Sequence, residues 1–293
     1  MNESKLLDLI YKRSGSIALA DATLLVGPGD DAAVIQLPGG DVQLLTVDQL
    51  IEGRHYEPST NLDLVARKAV ARSVSDIAAM GGVPTWAMAT GILPRDFELG
   101  DELFEAMSKW AVHWGCPLIG GDIASGDGPL SLTVTVGGTM QPGTKPKLRS
   151  GAQAGDEIWL TGPIGGSFKS GRHLTFEPQT KIAKQAARRE EVHAMMDISD
   201  GLGIDAGRVG KASGVSLEFD AAKLPMHVGV TDWKQASAEG EDYELLIVGS
   251  DLAKHLPGLL GPIGVCVESN SPGAVIIDAE QNRHDASALG WDH

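Results

Sequence analysis

The chain has 293 residues, 42% of them hydrophobic, with 37 glycines and 15 prolines, which excludes disordered and fibrous classes and allows a full core in one or two domains. A formal net charge of -15 disfavours nucleic acid and anionic membrane as partners, since both are polyanions, so a polyanionic small ligand would need bridging cations. Cys116 and Cys266 are too few and too far apart for a disulfide framework; no apolar run approaches the roughly 20 residues of a membrane span, and no signal-peptide core opens the chain, so a soluble cytoplasmic protein is expected.

Ser4 ahead of Leu6, Leu7, Leu9 and Ile10 predicts a capped amphipathic helix closed by Gly15. Strands are expected over 32–35 and 42–47, joined by the turn Pro38-Gly39-Gly40. From Asn61 to Met80, Leu62, Val65, Ala69, Ile77 and Met80 recur at mostly helical spacing, with Asn61 as N-cap and Gly81-Gly82 as stop. Lys68, Arg72 and Asp76 then share one helix face. A second helix is predicted from about Leu99 to Trp114, followed by Pro117-Leu118-Ile119 entering Gly120-Gly121-Asp122, and a half-buried strand over 130–136.

Between Gly137 and Gly155 the chain turns polar and rich in Gly, Pro, Lys and Arg, and the domain boundary is placed there, giving residues 1–148 and 149–293. The second half opens with a strand over 157–160 that runs into Thr161-Gly162-Pro163-Ile164-Gly165-Gly166-Ser167. A strand and acidic turn over 195–200, a helix from Gly201 to about Ala212, and strands over 215–219 and 244–248 follow. The whole reads as two α/β halves without a detectable sequence repeat.

Two acidic clusters stand out: Gly29-Asp30-Asp31 and Asp197-Ile198-Ser199-Asp200-Gly201, with Asp48, Asp76 and Asp122 between them. Carboxylates this dense suit several Mg²⁺ ions holding a polyphosphate, and so ATP chemistry. In-line phosphoryl transfer depends on positioning and electrostatics and needs no dedicated nucleophile. Walker, Gly-x-Gly-x-x-Gly, His-Glu-x-x-His and Gly-x-Ser-x-Gly signatures are absent. Bland readings stand beside these: Asp30 and Asp31 as solvated turn residues, Asp197 and Asp200 as a helix cap and acidic first turn, and Asp76 as a salt-bridge partner of Arg72. In the same way His55 reads as an exposed loop residue, Arg149 as a surface arginine and Trp291 as a packing anchor for the terminus.

Taken in order, Gly29-Asp30-Asp31-Ala32, Thr46-Val47-Asp48 with Glu52-Gly53-Arg54-His55-Tyr56, Ser75-Asp76-Ile77-Ala78-Ala79-Met80-Gly81, Gly120-Gly121-Asp122, Leu148-Arg149-Ser150-Gly151-Ala152, Met196-Asp197-Ile198-Ser199-Asp200-Gly201-Leu202, Gly240-Glu241-Asp242-Tyr243-Glu244-Leu245 and Gly290-Trp291-Asp292-His293 resemble the thiamine-monophosphate kinase family over nearly the whole chain. The resemblance implies the two-domain α/β (α+β) fold of aminoimidazole ribonucleotide synthetase, whose N-terminal domain forms a β-barrel across a homodimer. It also implies ATP-dependent conversion of thiamine phosphate to thiamine diphosphate. By motif position Asp30, Asp48, Asp76, Asp122, Asp197 and Asp200 become magnesium ligands, assisted by Thr46 and the Val47 carbonyl, with Asp48, Asp197 and Asp200 central to catalysis. Phe104, Gly121, Arg149 and Ser199 would contact ATP, and His55, Glu241 and Trp291 the thiamine phosphate. Ser73, Ile123 and Val47 depart from the family's usual Asn, Thr and Thr, and 168–177 reads unlike its usual small-residue helix. The alternatives are another ATP-dependent enzyme of the superfamily with a different acceptor, and a non-catalytic nucleotide-binding dimer.

Overall fold

The computed structural model describes residues 19–291, together with Leu6, Leu9, Ile10, Tyr11 and Ser14. Those five are helical or hold a helical position, but most of the helix expected over 4–15 lies outside the described residues, as do Asp292 and His293.

The first sheet comprises β1 (Thr23–Val26), β2 (Ala33–Gln36), β3 (Val42–Ile51), β4 (Val83–Pro94), β5 (Leu118–Gly126) and β6 (Ser131–Thr139), in the order β1-β2-β3-β6-β4-β5. Its pairs are antiparallel except β4 with β5, which are parallel and joined through helix α2 (Gly100–His113), as a parallel pair requires. The Pro38-Gly39-Gly40 turn links the antiparallel strands β2 and β3, as expected. Strands β1 and β4 carry no expectation from the sequence. β4 contains Pro84 and Gly91 and lacks clean alternation, so its 12 residues do not announce themselves.

Alternation on β3 sorts its side chains. Leu44, Thr46 and Leu50 are buried, with Asp48 on that inner face, while Val47 is exposed on the outer one. The row continues by register: Asp48 pairs with Val134, Val134 with Ala89, and Ala89 with Gly121. Gly121 is required there, because a Cβ would lie 1.9 Å from the Ala89 carbonyl oxygen.

Helix α1 (Leu62–Ala79) covers the inner face. Its N-terminus is capped by Asn61, whose Oδ1 accepts from the Asp63 backbone N–H at 2.9 Å, worth about 1 kcal/mol. α1 packs on β3, β6 and β4 on one side and on β8 (Val192–Asp197) and α4 (Thr180–Ala186) on the other. A helix clasped by two sheets must be small and apolar nearly all round, which its alanines supply. It also forces any charged residue within it to find a partner.

The second sheet runs β13-β12-β9-β11-β7-β10-β8, with β7 (Glu157–Leu160), β9 (Val215–Asp220), β10 (Leu245–Gly249), β11 (Leu260–Glu268), β12 (Gly273–Ile277) and β13 (Arg283–Asp285). Helix α5 (Leu202–Ser213) covers one face of this sheet, closing a core around Met196, Leu217, Phe219, Leu246 and Ile276. On the other face Ala78 and Ala79 of α1 join Trp159, Met195, Leu245 and Ile247 in a separate core. Burying side chains of this size contributes roughly 1.5 to 3 kcal/mol each, so α1 fastens the two sheets together. Each sheet is open within the chain. The chain turns from one to the other between Thr139 and Glu157. Both cysteines are buried and unpaired, and among the described residues no helix is long and apolar enough to cross a membrane.

Candidate active site

Among the described residues, Asp31, Asp76 and Asp197 bring one carboxylate oxygen each within 4.8 Å of one another. They arrive from three elements: the turn before β2, the last turns of α1, and the end of β8. Gly29, at φ +122°, makes the turn that points Asp31 inward. Asp31 Oδ1 accepts from Arg149 Nη2 at 2.7 Å, while its buried Oδ2 has no partner among the described residues. Asp76 accepts from Thr46 Oγ1, and Asp197 accepts from Ser75 Oγ at 2.6 Å. Burial first, then repulsion from neighbouring acids, pushes both Asp76 and Asp197 well above the carboxylate range. Such a group is neutralised by protons or by a cation, and an all-oxygen donor set with an orphaned oxygen suits a hard divalent ion.

The residue drawn into this trio is Asp31, where the resemblance assigned Asp30. Asp30 instead accepts from the Arg149 backbone N–H at 3.1 Å and is pushed up to about 7 by burial and by the neighbouring Asp31 charge. Which of two adjacent acids faces inward is decided by the turn and by Arg149, neither visible locally in sequence. Asp48 lies beside the trio on the inner face of β3, facing Arg72 at 3.4 Å. That corrects the salt bridge between Asp76 and Arg72: Arg72 turns to Asp48 and to the Gln49 carbonyl oxygen, which it meets at 2.7 Å. Val47 exposes its side chain on the opposite face of the strand.

Asp200 follows in the turn after β8 and is held by Arg208 at 2.6 Å. Neither Asp197 nor Asp200 caps α5, whose N-cap is Gly201 with no side-chain bond. The backbone N–H groups of Ser199, Asp200 and Gly201 all donate to one oxygen of Asp205, at 3.0, 3.0 and 3.1 Å. Burial pushes Asp205 up to about 7, against the pull of Arg208. Asp205 was missed; its position four residues after Gly201 is the only local signal.

Beside the trio a cavity of about 160 Å³ is lined by Arg54, His55, Arg72, Phe168, Asp200, Glu241 and Trp291, with Ser199, Glu239, Gly240 and Tyr243. His55 is buried, not exposed. Its Nδ1 accepts from the Ile51 backbone N–H at 2.9 Å, which leaves the proton on Nε2. Lys68, with no exposed surface, donates to the His55 carbonyl oxygen at 2.6 Å and to the Glu241 carboxylate. Burial lowers Lys68 to about 8 despite that partner. Glu241 sits at φ +66° and Tyr243 at φ +54°, strained positions that cost about 1 to 3 kcal/mol each. They are held because the Glu241 and Tyr243 N–H groups donate to the Ser199 and Ile198 carbonyls at 2.7 and 2.8 Å. Trp291, half exposed, is tied through its N–H to the Asp200 carbonyl at 2.9 Å. Phe168, in the segment singled out as atypical, supplies a second aromatic wall and stacks on His173.

The remaining expected residues gather elsewhere. Phe104 and Gly121 line a cleft of about 560 Å³ between α2 and the β4–β5 edge, with Leu103, Met107, Leu118 and Ile123. Asp122 lies in β5, not in a turn, and pairs with Thr90, which pairs with Thr133 opposite Gln49. That row belongs to the outer face. Three strand spacings, about 14 Å, also separate β5 from β3. A single chain therefore holds Asp122 apart from the trio.

Fold and site together set residues 29–140 in the family described as AIR synthase related protein, N-terminal domain, which they match. Hydrogenase maturation protein HypE from E. coli shares the fold at 17% identity and TM-score 0.68, over 84% of this chain and 85% of that one. Among curated relatives, thiamine-monophosphate kinase of Rhodopirellula baltica is 36% identical over 240 residues, 75% of each chain, and that of Escherichia coli K12 is 32% identical over 82% of this chain and 81% of its own. The structure of AaThiL complexed with AMPPCP and TMP superposes with TM-score 0.83 at 26% identity, covering 100% of this chain and 97% of that one. This chain belongs to the thiamine-monophosphate kinase family.

Proposed function

We propose that the protein phosphorylates thiamine phosphate to thiamine diphosphate at the expense of ATP, by direct in-line transfer at the seam between the two sheets. The observation that carries this reading is the crowded carboxylate trio Asp31, Asp76 and Asp197 standing beside the cavity edged by His55, Glu241 and Trp291. The AMPPCP and TMP held by AaThiL support the same pair of substrates. Asp31 with Asp30, Asp48, Asp76, Asp197 and Asp200, helped by Thr46 and the Val47 carbonyl, would hold Mg²⁺, which supplies charge neutralisation between donor and acceptor phosphates.

The rest of the work falls to the chain. The acceptor phosphate, with a second pKa near about 6, is already largely anionic at neutral pH, so no strong general base is required. The Nε2–H of His55 offers a donor, and Glu241, anchored by Lys68, accepts from an aminopyrimidine. Trp291 presents a flat face to a cationic aromatic ring, worth about 0.5 to 2 kcal/mol. Arg149 and Ser199 serve the ATP phosphates, and the apolar cleft around Phe104 and Gly121 suits the adenine.

The working unit is a cytoplasmic homodimer of two-domain chains, with domains 1–148 and 149–293. The outer face of the first sheet carries exposed Val47, Met88 and Ile92, an apolar surface that pairing into a barrel would cover. Asp122 on that face, with Phe104 and Gly121, then completes the site of a second copy. Purified protein with MgATP is expected to release ADP only when thiamine phosphate is added, and to form thiamine diphosphate in equal amount. Silence toward thiamine phosphate would sink the reading.

A further inference from the structure

The face of α1 that carries Lys68, Arg72 and Asp76 is only partly used by the reading above: Asp76 enters the trio and Lys68 holds Glu241 and His55, while Arg72 has no function. We propose that Arg72 is an anion-binding residue of the acceptor pocket, whose guanidinium grips the phosphate of the acceptor next to the carboxylate trio; this rests on the kinase reading. Arg72 lines the 160 Å³ cavity with its side chain only 12% exposed. Of its donors, Nη1 is committed to the Gln49 carbonyl at 2.7 Å, Nη2 reaches Asp48 only at 3.4 Å, and the buried Nε has no partner among the described residues. A guanidinium carries five N–H donors in a rigid fork matched to phosphate, and a buried donor left unmade is costly. Of the two Nη groups Nη2 is the less committed, on a side chain that lines the cavity an anion would enter.

Charge points the same way. The cavity wall also carries Asp200, Glu239 and Glu241, which repel a phosphate, and one other cation, Arg54, while Lys68 is spent on Glu241; of the two arginines Arg72 is the one a helical turn from Asp76. Arg72 also stands one helical turn before Asp76, so the two side chains are neighbours, about 5 to 6 Å apart at Cβ. An anion on Arg72 is thereby set beside the place where transfer occurs.

Binding of thiamine phosphate and of thiamine, which lacks the phosphate, is compared by calorimetry for the wild-type chain, Arg72→Gln and Arg72→Lys. Arg72→Gln is expected to weaken thiamine phosphate about tenfold or more and to leave thiamine within about twofold, with Arg72→Lys in between. Equal loss for both ligands, or no loss, overturns the proposal. If thermal melting shows Arg72→Gln unfolded, Arg72→Lys decides by the same ratio of the two losses. Should the wild type neither bind nor turn over thiamine phosphate, the kinase reading falls and the anion site is judged on inorganic phosphate: binding lost in Arg72→Lys or Arg72→Gln keeps it, and unchanged or undetectable binding overturns it.

Discussion

At the seam, buried Asp31 and Asp197 are crowded together with half-buried Asp76, whereas at the β5 edge Asp122 stands in solvent with Ile119 and Ile123 exposed on the same strand. The same residue type is used in opposite ways. The seam concentrates negative charge where it is unfavourable until a cation arrives, and it does so within one chain, because α1 is clasped by both sheets. The edge is an unfinished surface: an open strand, an apolar cleft and an outward acid. What the contrast teaches is that one chain crowds acids at the seam and leaves an acid open at the edge, the part that the proposed pairing of two copies would use.

The largest expected effect breaks the seam. Asp197→Asn should lower kcat by about a thousandfold or more, as loss of transition-state charge handling does, while the melting temperature in EDTA rises, because one of three crowded acids is gone. Magnesium should then no longer raise the melting temperature as it does for the wild type. Loss of folding in this variant would make the trio structural. Asp122→Asn should lower kcat about a hundredfold yet leave the EDTA melting temperature unchanged, since no other acid crowds it; a parallel rise would erase the distinction between the two regions.

Smaller effects sharpen the acceptor side of the seam. Lys68→Met is expected to raise the KM for thiamine phosphate about tenfold with a lesser effect on kcat, through a loosened Glu241. The pH dependence follows from Lys68, which burial lowers to about 8 from 10.5. The folded state binds fewer protons than the unfolded one between those values, so this group's contribution to stability grows as pH rises from about 8 to 10.5. Its hold on Glu241 weakens over the same rise, so the acceptor KM should climb above about pH 8 in the wild type and stay flat in Lys68→Met. Trp291→Ala should raise that KM by about two- to thirtyfold; an unaltered KM would remove Trp291 from the pocket.

Much of this was legible from residues alone where periodicity is strong. The Asn61 cap, the extent of α1 and the shared face of Lys68, Arg72 and Asp76 follow from helical spacing, and the clasping of α1 by two sheets explains why that face holds buried charge. The preference for Asp31 over Asp30 was not legible, because it depends on Arg149 arriving from 118 residues away. Asp205 has no signal in sequence beyond its place after Gly201, and its part emerges only where three N–H groups converge on it. The place of Asp122 was not legible either: the tight approach of Gly121 to Ala89 makes Gly-Gly-Asp part of a strand and sends Asp122 to the outer face. Strands β11, β12 and β13 escaped notice, β11 because glycine and proline interrupt it and β13 because it has three residues.

That the seam of one copy and the β5 edge of another form a single site has a direct test. Asp197→Asn and Asp122→Asn chains, each inactive alone, are mixed in equal amounts, dissociated and allowed to re-pair, and thiamine diphosphate formation is measured. Half of the dimers are then mixed and each has one intact site, so about a quarter of wild-type activity should return. Activity that stays at the level of the separate variants would place both residues in the site of the same chain and contradict the account.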